Sequence, residues 1–150
     1  MKIMLDTNVL FSGLVYGGKV APAVVEYVSK HYDLYLSEYA VNELKKATLN
    51  KTPHQATKIN EILAKLNYTL VKLPLEDPPD EYFNLRDPND IPILQAAVDE
   101  DMDILITGDK DFEDVIIKKP QIMNMSTFAD KYMKGERIYG TINSNTNMER

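Results

Sequence analysis

The chain has no cysteine and only two histidines. The first absence removes disulfides, thiolate nucleophiles and thiolate zinc sites together. The second leaves His31 and His54, neither with another nitrogen or sulfur ligand at metal-binding spacing, so both read as surface or helix-face residues without a catalytic role. No apolar run is long enough to cross a bilayer. The opening stretch MKIMLDTNVLFSGLV, interrupted by Asp6 and Asn8, fails as a secretory signal. Together these absences predict a cytoplasmic chain with no membrane attachment.

Basic residues are scarce in one region only. From Glu76 to Asp114 there are 14 acidic residues against Arg86 and Lys110, whereas the rest of the chain has nine acidic and 15 basic residues. The overall charge of −6 is therefore a local excess, and it does not exclude a polyanionic partner. Lys45, Lys46, Lys51, Lys58, Lys65 and Lys72 stand against Glu61 alone. They form either a solvated helix surface or a face that guides nucleic acid, with Lys45, Lys46, Lys51 and Lys58 as the candidate contacts.

What is present suits a globular domain. The 150 residues are 44% hydrophobic and 27% charged, enough to bury a sizeable core. A single domain over residues 1–134 is expected, followed by a polar tail from 135 to 150. Ile3, Met4 and Leu5 form a short apolar run of the kind buried in a parallel sheet, and Leu34 to Leu36, Tyr68 to Leu73, Ile104 to Thr107 and Gln121 to Met125 supply further strands. Helical spacing appears in Ala21 to Lys30, after Ser37, after Thr52 and Pro53, from Pro88 to Asp101, and from Thr127 to Met133 with Ser126 as its cap. Strands separated by helices imply a three-layer αβα fold around a central, mostly parallel sheet of four to five strands.

Acidic residues then fall where strands give way to helices: Asp6 in MLDTN, Asp87 and Asp90 in RDPND, Asp109 and Asp111 in TGDKDF. In an open α/β sheet such positions share one edge, outside the carboxyl ends of the strands. Carboxylates crowded there repel one another, and a cluster that stays ionised at pH 7 usually holds a cation. Oxygen-only ligands point to Mg2+ or Mn2+. Each acid also has a plainer reading. Asp6 caps the next turn or binds metal, with Asn8 as an orienting neighbour. Asp87, before Pro88, reads as a helix cap and Asp90 as the ligand. Asp109 and Asp111 are edge acids or surface-turn residues. They do not make a calcium loop, because the sixth position from Asp109 is Asp114 and the twelfth is Pro120. Glu43, midway along a helix beside Ala40, Leu44 and Ala47, is by spacing an ordinary boundary residue.

The motifs DTN, S-x5-EL over Ser37 to Leu44, D-x-x-D-x-x-x-L-x-A-A over Asp87 to Ala97, and TGDxDF over Thr107 to Phe112 occur in that order. In this arrangement the chain resembles the PIN-domain ribonuclease family. The RDPND and TGD forms are similar to its branch of toxin components of toxin–antitoxin pairs, relatives of the VapC toxins. The resemblance implies an endoribonuclease in which Asp6, Glu43, Asp90 and Asp109 are catalytic and Asp6, Asp90, Asp109 and Asp111 hold Mg2+ or Mn2+. Asn8 and Asp87 have supporting roles in that scheme. It further implies an RNA substrate, an antitoxin partner and a homodimer, for which the apolar helices early in the chain are the expected surface.

Two other classes stand beside this reading. One is a noncatalytic PIN-like module that binds RNA or an antitoxin without cutting. The other is a magnesium-dependent phosphohydrolase of small phosphate esters; against it, the second Asp usual two residues after an aspartyl nucleophile is replaced by Asn8.

Overall fold

The apolar runs become the centre of the molecule. Five strands, β1 (Lys2–Leu5), β2 (Asp33–Ser37), β3 (Thr69–Val71), β4 (Ile104–Ile106) and β5 (Gln121–Met123), form a wholly parallel sheet in the order β3-β2-β1-β4-β5. In the register, Ile3 lies between Leu34 of β2 and Ile104 of β4, and Met4 between Tyr35 and Leu105. Ile3, Met4, Leu5, Leu105 and Ile106 are completely buried, as strands covered on both faces must be. Each such aliphatic side chain taken from water stabilises the fold by about 1.5–3 kcal/mol. The flanking strands are wetter: Thr69 and Leu70 of β3 and Gln121 of β5 are exposed. This computed structural model describes residues 1–16, 18–74, 76–80, 85, 87–108, 112 and 116–134. The tail expected from 135 to 150 lies outside them.

Helices cover both faces and complete the three-layer αβα architecture. In chain order they are α1 (Thr7–Phe11), α2 (Val20–His31), α3 (Glu38–Lys51), α4 (Ala56–Lys65), α5 (Asp90–Asp99) and α6 (Met125–Tyr132). A π-helical turn, Ser12–Tyr16, joins α1 to the loop before α2, and a single 3₁₀ turn, Pro53–Gln55, leads into α4. Gly13 belongs to that π-helical turn, where a Cβ would lie 2.6 Å from Val25 Cγ2 and 3.3 Å from the Ala21 carbonyl oxygen. Only a residue without a side chain lets the turn approach α2 so closely. On α4, Ile59 and Leu63 face inward while Lys58 and Lys65 stay in solvent, the stripe that its spacing predicts. No single described helix is long and apolar enough to cross a membrane.

Four details differ from the sequence reading. Helix α1 follows β1 directly; at five residues it is too short to show a helical period. Helix α5 starts at Asp90, two residues later than expected, because Pro88 and Asn89 form the turn that precedes it. The cap of α6 is Asn124, whose side chain accepts the Thr127 N–H at 2.8 Å, not Ser126. The early apolar helices are not an exposed surface: Val9, Leu10, Phe11, Val24, Val25 and Val28 belong to the core. Among the described residues, the large hydrophobic side chains left exposed are Met1, Leu49, Leu70, Leu73 and Ile116.

Candidate active site

After β1 the chain moves outward through β2 and β3, then crosses back to β4 on the other side of β1. The carboxyl ends of β1 and β4 therefore flank the point where the winding reverses, the usual crevice for ligands in an open parallel sheet. Asp6 is the first residue beyond β1. Its N–H donates to the carbonyl of Ile106 at 3.2 Å, which ties it to the end of β4. Its side chain is only 3% exposed. One carboxylate oxygen accepts the Val9 N–H at 2.9 Å and the other accepts the Thr107 hydroxyl. Asp6 thus caps α1 and faces the crevice at once, so the two readings of this residue are compatible.

A cleft of about 180 Å3 opens there, lined by Asp6, Thr7, Asn8, Tyr39, Glu43, Asp87, Asn89, Asp90 and Ile93. It is smaller than the roughly 300–1,000 Å3 of pockets that engulf a small-molecule ligand. Its lining comes from three places. The β1–α1 junction supplies Asp6, Thr7 and Asn8; helix α3 supplies Tyr39 and Glu43; the turn into α5 and its first residues supply Asp87, Asn89, Asp90 and Ile93. Ser37 sets the direction of α3 by accepting the Ala40 N–H at 2.9 Å, a cap that leaves Tyr39 and Glu43 four residues apart and on one face. At the start of α5, the Asp87 carboxylate accepts the Asn89 N–H at 3.0 Å and its carbonyl accepts the Asp90 N–H at 3.0 Å. Asp87 is not the expected cap of α5: the cap position is Asn89, without a side-chain cap bond, and the Asp87 carboxylate closes the turn before it. Asp90, only 8% exposed, is the first helical residue, where the positive end of the helix dipole favours a carboxylate by about 0.3–1 kcal/mol.

Four carboxylates, Asp6, Glu43, Asp87 and Asp90, line the cleft. At its wall Lys46 pairs with Glu43 at 3.3 Å, and the lysine side chain is 73% exposed. A pair so well solvated neutralises little. The Tyr39 phenol registers the field: burial first, then the negative charges of Glu43, Asp87 and Asp90, hold its pKa above the ordinary 10.0. Its hydroxyl donates to Asn89 Oδ1 at 2.5 Å.

Of the sequence-derived candidates, Asp6, Asn8, Glu43, Asp87 and Asp90 share this cleft. Asp109 and Asp111 lie outside the described residues. Among the described residues no group of three His, Cys, Asp or Glu side chains converges closely enough to hold an ion alone. The donors nonetheless have the right chemistry for a hard divalent cation, being all oxygen and mostly anionic. Lys45, Lys46, Lys51 and Lys58 are exposed and lie outside the cleft lining, with Lys46 beside it through Glu43 and Lys51 placed 5.5 Å from the Phe11 ring. Three participants escaped the sequence reading. Thr107 holds Asp6, and Tyr39 and Asn89 join α3 to the start of α5. The position of Tyr39 four residues before Glu43 was the available signal for one of them.

A sequence profile of the PIN domain matches residues 2–111. Among solved structures, the fold is similar to a chain from the crystal structure of VapBC2 from Rickettsia felis bound to a DNA fragment from their promoter. The TM-score is 0.63 at 19% identity, over 83% of this chain and 98% of that one. No curated protein sequence matches. With the profile spanning most of the chain and the acidic cleft at the reversal point of its sheet, the protein belongs to the PIN-domain family.

Proposed function

We propose that this protein is a metal-dependent endoribonuclease that hydrolyses RNA phosphodiester bonds at the acidic cleft, and that it acts as the toxin of a toxin–antitoxin pair. The observation that carries the reading is the meeting of Asp6 and Asp90. Two carboxylates distant in sequence are both buried and line one small crevice with Glu43 and Asp87. Four carboxylates around one cleft supply the all-oxygen, anionic donors that a hard divalent cation prefers. The VapBC2 structure supports a protein antitoxin as partner.

In this reading Asp6, Glu43, Asp90 and Asp109 form the catalytic set, with Asp6, Asp90, Asp109 and Asp111 as the ligands of Mg2+ or Mn2+. When bound, the ion supplies an acidified water and positive charge against the attacked phosphate and its leaving oxygen. The rest falls to the chain. Val9 N–H and the Thr107 hydroxyl fix the orientation of the Asp6 carboxylate. The α5 N-terminus stabilises Asp90 in its charged form. Lys45, Lys46, Lys51 and Lys58 attract the strand from outside the cleft. No histidine is needed as a base.

Parallel assays on RNA, single-stranded DNA and a generic phosphate ester test this. Expected is RNA cleavage that leaves a 5′ phosphate and a 3′ hydroxyl, stops in excess chelator and returns with Mn2+. Ester hydrolysis without RNA cleavage points to the small-substrate phosphohydrolase. RNA binding with no turnover in any metal points to the noncatalytic module. Cleavage that persists in chelator sinks the metal-dependent reading.

A further inference from the structure

We infer that Tyr39 and Asn89 form a latch that positions the acidic side chains of the cleft for cation binding, an inference that rests on the metal-dependent reading above. The phenol of Tyr39 on α3 donates to Asn89 Oδ1 at 2.5 Å. Asn89 in turn gives its backbone N–H to Asp87 Oδ1 at 3.0 Å, and Asp87 accepts the Asp90 N–H through its carbonyl at 3.0 Å. One continuous run of hydrogen bonds thus leads from α3 to the first residue of α5. Glu43 is one helical turn beyond Tyr39 on the same face, and Asp90 is the residue after Asn89. The latch therefore fixes the distance between Glu43 and the Asp87–Asp90 turn, which no covalent connection closer than 44 to 86 controls.

The device answers a specific physical problem. Without a cation, Glu43, Asp87 and Asp90 repel one another across a wall made of two separate elements, α3 and the turn into α5, that meet through the shared core beneath. A neutral hydrogen bond between those elements opposes that repulsion without adding charge to the cleft. It also keeps the ring of Tyr39 half-buried at the wall, so the carboxylates reach the cation already ordered, and the ion does not have to supply that ordering itself. Tyr39 and Asn89 are positioning residues here, since neither needs to touch the reacting phosphate.

The test is Mn2+ binding to the RNA-free protein, followed by electron paramagnetic resonance, for the wild type, Tyr39→Phe, Asn89→Ala and the double substitution. Tyr39→Phe removes only the hydroxyl and keeps the ring, and thermal unfolding checks that each variant is folded. Either single substitution is expected to weaken Mn2+ binding about three- to tenfold, the range of one net hydrogen bond. The double substitution should be no weaker than the worse single one. In the cleavage assay at saturating Mn2+, kcat of Tyr39→Phe should return towards wild type, which a general loss of structure would not allow. Unchanged Mn2+ affinity in Tyr39→Phe, or effects that add, overturns the latch while leaving the nuclease reading intact. A wild-type chain that takes up no Mn2+ overturns the metal-dependent reading and the latch with it.

Discussion

A parallel sheet has two unlike rims, and this one uses acidic residues in opposite ways at each. At the amino rim, Asp103 precedes β4 and Lys2 opens β1. The Asp103 carboxylate accepts the Lys2 N–H at 2.7 Å, and Lys119 lies 3.3 Å from Asp103 and 3.2 Å from Asp101. The Lys2 ammonium reaches the Glu100 carbonyl at 2.6 Å. Both carboxylates of that small network, Asp101 and Asp103, have Lys119 as partner. At the carboxyl rim, Asp6, Glu43, Asp87 and Asp90 surround one cleft, and the exposed Lys46 pairs with Glu43 at its wall. The residue types are the same. On the proposed reading, the amino-rim acids serve the fold and the carboxyl-rim acids serve a ligand.

The strongest way to break this comparison is to remove a charge at the carboxyl rim. Asp6→Asn and Asp90→Asn should each lower RNA cleavage by about 100-fold or more. Metal-free thermal stability should hold or rise, because like charges are relieved. Asn at position 6 retains an acceptor for the Val9 N–H, and asparagine caps a helix about as well as aspartate. Measured cleavage rates and unfolding midpoints decide the matter together. Full activity in the double variant, or a large loss of stability without loss of cleavage, would show that these acids are structural like those of the other rim.

A smaller effect is expected from the lysines beyond the cleft. Replacing Lys45, Lys46, Lys51 and Lys58 by Gln should weaken RNA binding about tenfold or less at moderate salt. The slope of log affinity against log salt should fall by about one for each lost phosphate contact. Cleavage at saturating RNA should change little. An unaltered salt slope would return these residues to the plain role of a solvated helix surface, and would leave the acidic rim as the part of the molecule that meets RNA.

How much of this was legible before folding depends on the range of the interaction concerned. Ile3 to Leu5 and Ile104 to Ile106 declare themselves as strands because burial on both faces demands an unbroken apolar run. The Ser37 cap is legible because its partner, Ala40, is three residues away. Asp6, Glu43, Asp87 and Asp90 line one cleft: strand-to-helix junctions of a parallel sheet share an edge, and the motif order points to Glu43. Thr107 and the Tyr39–Asn89 pair were not legible. A hydroxyl or an amide carries no charge pattern, and its role appears only when a partner 50 or 101 positions away is brought against it. The reading of Ser126, in place of Asn124, as the α6 cap failed for a related reason. Both are good caps, and Met125, between them, is half-buried within the first turn of the helix.

The smallest expected effect sharpens the comparison from the amino rim. Asp103→Asn should leave cleavage within about twofold of wild type and lower the unfolding temperature by about 1–4 °C. The Lys2 N–H, and then the Lys119 ammonium, hold the Asp103 carboxyl below its ordinary 3.8. A carboxyl depressed in the folded state contributes stability above its unfolded pKa and loses that contribution as the pH falls through its folded value. The deficit of Asp103→Asn should therefore be full near neutrality and shrink as the pH drops below 3.8, until both proteins unfold at the same temperature. The acidic cleft predicts the opposite sign for metal-free Asp90→Asn near neutrality, where relieved repulsion should leave it at least as stable as wild type. Unfolding temperatures of both variants at pH 7, taken in chelator, set these two signs side by side. If both variants are destabilised alike, the two rims do not differ in how their acids serve the fold.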